Sequence, residues 1–376
     1  MRKTLFNLHF FGGLVGAVFV IILGLSGSVM AFEDEFDRLT HPRLFRVVPT
    51  GSPLPLTELS ARAIAAVPGA RVVAYGLPTA SGRSVSVILA GTTVYMNPYT
   101  GEVLGTRSGP TLLGQIHQLH LRLLAGNVGR TIVSWAGVLM IVLVISGFYL
   151  WWPVKRVSIA RTGGRRTWFD VHNAIGVFAF VFLLLLALTG VVIGFESVTT
   201  PLLYRMTGSQ PYGSGPAVLP RSGARMLTPD EAVAGASQAL PGATPVIISV
   251  AGPKAPYRIA LRYPEDRTPG GRSRVFIDPY TGAVLQSESS RSTAAGTRLI
   301  ILNRAIHTGD LFGIPSKLLM SVASLAAVAQ VATGLVMWSK RRSAARRVKA
   351  PEESTDAARH PSGGRARRDA RVRTRQ

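Results

Sequence analysis

The sequence predicts a membrane protein: a four-transmembrane-helix bundle built from two tandem repeats, each with a small α+β domain outside the bilayer. Three observations lead there. Four apolar runs are long enough to cross a bilayer, basic residues crowd the short segments beside them, and the two halves match at fixed offsets. The 376 residues include 42 Lys+Arg against 19 Asp+Glu, a net charge of +23, which taken alone suggests nucleic acid. Yet 47% of residues are hydrophobic and only 16% are charged, the balance of a chain dissolved in lipid rather than of a soluble basic binder. There is no cysteine, so disulfides, iron–sulfur clusters, thiolate metal sites and covalent haem attachment are excluded. Histidines and carboxylates remain as ligands.

The first span, about Phe10 to Phe32, follows Arg2 and Lys3. Its apolar run is longer than a signal-peptide core, so it is expected to stay as an anchor. The others run from about Ile132 to Trp152, Ala174 to Phe195, and Leu318 to Trp338. Lys and Arg in short flanking segments stay cytoplasmic. The N-terminus, the loop at 153–167 with Lys155, Arg156, Arg161, Arg165 and Arg166, and the tail after Trp338 together hold twenty basic and four acidic residues, +16 of the net +23. Both termini are therefore expected inside, with residues 33–111 and 197–298 outside and the tail at 341–376 disordered. That tail is expected to meet anionic lipid, not nucleic acid.

The halves repeat. At an offset of 163, His9 falls on His172, Gly13 on Gly176, Ser26-Gly27 on Thr189-Gly190 and Glu33 on Glu196. At an offset of 187, His120 falls on His307, Gly126 on Gly313, Arg130 on Lys317, Ser146-Gly147 on Thr333-Gly334 and Trp151 on Trp338. Between them, Asn97-Pro98-Tyr99-Thr100-Gly101 matches Asp278-Pro279-Tyr280-Thr281-Gly282, a turn in which Pro presets φ and Gly accepts φ > 0. Each outer segment opens with a helical pattern, Leu56 to Val67 and Thr228 to Leu240, the second beginning with an N-cap and Pro at N1. Strand-like runs follow at Arg71 to Tyr75, Ser84 to Leu89, Val246 to Val250 and Tyr257 to Arg262. Two small antiparallel sheets are expected, and a pseudo-two-fold axis along the membrane normal should relate the halves.

The order span, α+β segment with a D/N-P-x-T-G turn, returning span, together with LH…G…[ST]G in the helices, resembles the PepSY-associated transmembrane family over about residues 5 to 342. The resemblance implies an inner-membrane protein with PepSY-like periplasmic domains. Some relatives are haem proteins that reduce ferric siderophores, and others are iron-regulated membrane proteins.

Topology sorts the repeat-equivalent histidines by side. His9 and His172 begin spans one and three at the inner face, whereas His120 and His307 precede spans two and four at the outer face. Each pair has the makings of a bis-imidazole b-type haem, two haems in all. By helical rise, Gly27 and Gly190 should lie beside His120 and His307, and Gly147 and Gly334 beside His9 and His172, leaving room for a porphyrin face. Small residues also serve ordinary helix packing, and zinc or copper is the chemical rival. His117, one turn before His120, is an alternative ligand, a propionate partner or a helper for outer electron transfer; Arg304 stands at its place in the second half. Arg130 and Lys317 are candidates for propionates or an anionic substrate, or are ordinary interfacial cations. His41 and His360 are not ligand candidates. The segments Leu112 to Ala125 and Leu299 to Phe312 should lie on the surface, turning into the spans at Gly126–Gly129 and Gly313–Pro315.

The expected function is electron transfer through two haems from a separate cytoplasmic reductase or membrane quinol to a periplasmic acceptor such as a ferric siderophore. No nicotinamide or flavin fingerprint is present. The rival is a membrane-anchored module in which PepSY-like domains bind a ligand or peptidase without catalysis. A transporter is disfavoured because no span has a central acid or base.

Overall fold

The computed structural model describes residues 1–153, 164–211 and 215–349. In chain order the first half comprises α1 (Arg2–Met30), α2 (Glu33–Thr40), α3 (Pro42–Phe45), α4 (Leu56–Ala66), β1 (Val72–Gly76), β2 (Val85–Leu89), β3 (Thr92–Met96), β4 (Val103–Ser108), α5 (Leu112–Arg122) and α6 (Gly126–Trp151). The second comprises α7 (Arg165–Gly194), α8 (Glu196–Met206), α9 (Pro229–Ala239), β5 (Thr244–Ser249), β6 (Tyr257–Arg262), β7 (Ser273–Ile277), β8 (Val284–Glu288), α10 (Ala295–Thr308) and α11 (Ile314–Lys349). Short 3-10 turns at Ser290–Ser292 and Asp310–Phe312 flank α10.

Among the described residues, four helices are long and apolar enough to cross a membrane: α1, α6, α7 and the Ile314–Ser343 part of α11. This is a multi-pass membrane protein. Neighbouring contacts run α1–α6–α7–α11 and back to α1, a closed ring of four. The buried faces are built from small residues, Gly16, Ala17, Gly24, Ala174, Ala179, Ala187, Ala323 and Ala327, which let the backbones approach. Large side chains such as Phe11, Val15, Phe178 and Val322 point outward, where lipid rather than protein would cover them. α11 continues past Arg341, so the expected disordered tail begins later than its sequence suggested; residues 350–376, with His360, lie outside the described residues, as do Lys155, Arg156 and Arg161.

Where two small sheets were expected, the described strands form one antiparallel eight-stranded sheet, ordered β4-β3-β2-β1-β5-β6-β7-β8. The join is β1 against β5, with Tyr75 opposite Ile248. Each strand would otherwise be an unpaired edge, and the seam satisfies both. One face buries Tyr75, Val87, Val94, Ile248, Ile259 and Val275 beneath α4 and α9, making a single core across the seam. α9 starts with a capping box between Thr228 and Glu231, and Asp230 reaches across to accept from the backbone N–H groups of Leu56 and Thr57, capping α4 from the other half.

α5 and α10 leave the two outer strands and fold back to the bundle mouth, α5 against α1 and α6, α10 against α7 and α8. The turn from α5 to α6 uses Leu123 and Leu124 at φ 49° and 57°, two non-glycine residues that carry no sequence sign of it, followed by Gly126 at φ 58°. Gly129 lies inside α6 rather than in the bend; a Cβ there would sit 1.6 Å from the Arg122 carbonyl oxygen, so only glycine fits the close approach. Between α10 and α11 the turn runs through Gly309 and Gly313, both at positive φ. α2 and α8, which continue from α1 and α7 toward the sheet, were not anticipated.

Candidate functional site

The fold brings the four repeat-equivalent histidines into two pairs, one at each end of the bundle. Away from the sheet, the His9 and His172 ring centroids are 6.4 Å apart with planes at 86°. At the sheet end, His120 and His307 are also 6.4 Å apart, with planes at 53°. His9 and His172 belong to α1 and α7, diagonal in the ring of helices; His120 and His307 come from α5 and α10, the two pendant helices.

Each imidazole is held by the hydroxyl–glycine pair of a neighbouring helix. His9 Nδ1 lies 2.9 Å from Ser146 Oγ, and His172 Nδ1 lies 2.8 Å from Thr333 Oγ1. His120 Nδ1 lies 3.0 Å from Ser26 Oγ, and His307 Nδ1 lies 3.0 Å from Thr189 Oγ1. The following glycine receives the ring edge: a Cβ on Gly147 would come within 3.0 Å of His9 Cε1, on Gly27 within 3.0 Å of His120 Cε1, on Gly190 within 3.1 Å of His307 Cε1, and on Gly334 within 3.9 Å of His172 Cε1. The glycines fall beside the expected histidines, and each leaves the edge of its imidazole room against the helix backbone. The hydroxyls were visible in all four spans, always preceding the glycine, and their contact with Nδ1 went unread. Nothing in the sequence marks Gln330, whose amide donates to the His172 carbonyl at 2.7 Å.

His120 and His307 lie outside the spanning helices. Burial, then the neighbouring His307 and His117, lowers the His120 pKa to about 4. Burial likewise lowers His307 to about 4, against an opposing hydrogen bond to the Leu186 carbonyl. Both rings are therefore neutral at ordinary pH, the form in which histidine offers a lone pair to a metal.

The spacing can be tested against ligation. Metal–nitrogen bonds of about 2.0–2.1 Å would let one metal ion reach two imidazoles at such a separation. Both pairs stand at 6.4 Å. Among the described residues no group of three or more His, Asp or Glu could hold a metal ion. A bare zinc or copper ion takes three or four protein ligands, whereas iron already bound by a macrocycle takes two axial ones. The donor set fits the second case.

The remaining candidates carry other partners. His117 Nδ1 lies 2.9 Å from Glu33 Oε2, both side chains about one-third exposed, and His117 does not complete a three-ligand group with the pair beside it. Arg130 faces Glu196 at 3.2 Å and the Ile193 carbonyl. Lys317, only 11% exposed, faces Glu35 at 3.0 Å and Asp310 at 3.6 Å. His41, exposed, pairs with Asp37.

A comparison with curated proteins finds no match. Residues 6–341, from the third residue before His9 to near the end of the fourth span, match the family described as PepSY-associated TM region. By that match, over nearly all of its described length, the chain belongs to the PepSY-associated TM region family.

Proposed function

We propose that this protein conducts electrons across a membrane, with each imidazole pair supplying the two axial ligands of a b-type haem. The observation that carries the proposal is the equal 6.4 Å separation of the two pairs at opposite ends of one bundle. The haems supply the one-electron chemistry. The chain's own residues do the rest. His9 and His172 hold the group at the end where both chain termini are assigned to the cytoplasm, and His120 and His307 hold the one beneath the sheet. Gly27, beside His120, is 18 residues along α1 from His9, so the two levels stand roughly 27 Å apart at helical rise, close to the hydrocarbon thickness. The helices between them exclude water and fix that spacing.

The same proposal takes in the two-repeat architecture, supported by the mirrored order of strands about the β1–β5 seam and by the repeat-equivalent holding of all four rings. It places the protein in the inner membrane of a bacterium with the sheet in the periplasm. The donor is a soluble reductase or quinol; the acceptor is a ferric chelate of the siderophore type, which makes the protein an oxidoreductase. The test is optical: the purified protein should show a Soret band and a dithionite-induced α band, at two haems per chain. A colourless protein with intact fold refutes haem ligation and leaves the anchored ligand-binding module in its place.

A further inference from the structure

We infer that Ser26, Ser146, Thr189 and Thr333 are positioning residues that hold all four imidazoles as the Nδ1–H tautomer, leaving each Nε2 as the bare nitrogen of its ring. The purpose assigned to that nitrogen, axial ligation, rests on the haem reading; the tautomer itself does not.

The proton inventory makes the case. A hydroxyl has one hydrogen to give. Ser26 gives it to the Ile22 carbonyl at 2.6 Å, Thr189 to Leu185 at 2.6 Å, Thr333 to Ala329 at 2.8 Å and Ser146 to Leu143 at 3.1 Å. Such back-bonding within a helix is common for Ser and Thr. With that hydrogen committed, the contacts of 2.8–3.0 Å to the four Nδ1 atoms can form only if the ring nitrogen donates to a hydroxyl lone pair. A neutral imidazole carries one N–H. Its placement on Nδ1 leaves Nε2 bare, as a metal ligand must be.

The glycine after each hydroxyl completes the device by letting the ring edge lie on the helix backbone. Its partner group is a neutral hydroxyl, not the carboxylate that often backs a ligating histidine, so the ring keeps its proton and no charge is buried with it.

The direct test is long-range nitrogen–proton correlation NMR on full-length protein labelled in its histidines, kept in the ferrous diamagnetic state where haem is present. All four rings should show Nδ1–H, each assigned through its Ser or Thr→Ala variant. A pattern of Nε2–H at these rings overturns the inference, whether or not the protein binds haem. The functional arm compares Ser26→Ala with Ser26→Thr by redox titration of each haem. Ser26→Ala should move the midpoint of the sheet-end couple by a factor of about ten in its equilibrium, about 59 mV for one electron, leave the other couple in place, and recover in Ser26→Thr. A variant that melts like the parent with neither potential moved, or that loses haem from both ends alike, overturns the positioning role. Absence of haem from the parent protein sinks the proposed function alone and leaves the tautomer result standing.

Discussion

The four glycines that receive the imidazoles are not equivalent, and their differences can be measured at a single site. Gly147 and Gly334 serve the same pair. A methyl group on Gly147 would meet His9 Cε1 at 3.0 Å, a distance at which the ring must yield by a few tenths of an ångström, whereas on Gly334 it would meet His172 Cε1 at 3.9 Å, ordinary contact. Both are interior helix positions, where Gly→Ala contributes about 0.5–1 kcal/mol of stability through backbone entropy. Overpacking costs about 1–3 kcal/mol, and only Gly147 incurs it. Gly147→Ala should therefore end roughly 0–2.5 kcal/mol less stable with His9 displaced, and Gly334→Ala roughly 0.5–1 kcal/mol more stable with His172 in place. The assay is haem content per chain together with thermal melting in one detergent, both variants against the parent. Gly147→Ala should lose the haem opposite the sheet and keep the sheet-end one. Equal loss in Gly334→Ala, or none in Gly147→Ala, refutes the idea that these glycines seat the rings.

The histidines themselves should sort by end. His9→Ala or His172→Ala removes one haem and blocks reduction from the side bearing the termini, whereas His120→Ala or His307→Ala removes the other and leaves inner reduction intact; loss of both haems in every variant argues against two separate sites. The two repeat-equivalent cations should differ in weight. Lys317→Met removes the main cation from the partly buried Glu35 and Asp310, which keep only Arg38 at 3.9 Å and the Thr308 hydroxyl at 2.8 Å, and should cost roughly 1–3 kcal/mol in a denaturation series, while Arg130→Met, whose pair with Glu196 is 40% and 66% exposed, should cost about 1 kcal/mol or less. In the sheet, burial pushes the Tyr257 phenol up to about 12, with Tyr75, Glu231 and Asp230 adding to it. The folded state then holds that proton more tightly than the unfolded chain, so the stabilisation is complete below pH of about 10 and is lost as pH climbs through 12. Tyr257→Phe should flatten the decline in stability over that interval, and an unchanged decline would count against the assignment.

The spans, the paired histidines and the N-cap at Thr228 were legible because each is written locally: an apolar run of bilayer length, a fixed offset between repeats, a Thr-Pro start. The fusion of the sheets was not. β1 and β5 each have the composition of a strand, but their choice of one another is a contact between segments about 170 residues apart, and nothing in Ala74-Tyr75-Gly76 or Ile247-Ile248-Ser249 names the partner. The turn at Leu123 and Leu124 was hidden for the opposite reason, since leucine gives no hint of positive φ and the neighbouring Gly126 and Gly129 drew the bend toward themselves. At the site, the glycine was read for the space it leaves while the hydroxyl before it went unread, because a serine in a membrane helix ordinarily satisfies itself on its own backbone. All four do so here, and that is what commits them as acceptors.

The single sheet gives the bundle mouth a mechanical character that two separate sheets would lack. α5 and α10 descend from β4 and β8, the opposite borders of eight strands, which at about 4.8 Å per neighbour lie on the order of 30 Å apart. They nevertheless converge until His120 and His307 stand 6.4 Å apart. The molecule is thus shaped like a pair of calipers, with the β1–β5 seam midway between its arms and the two rings at its tips. The sheet thus sets how far apart α5 and α10 begin, whereas the His9 and His172 gap is bracketed by two continuous membrane helices.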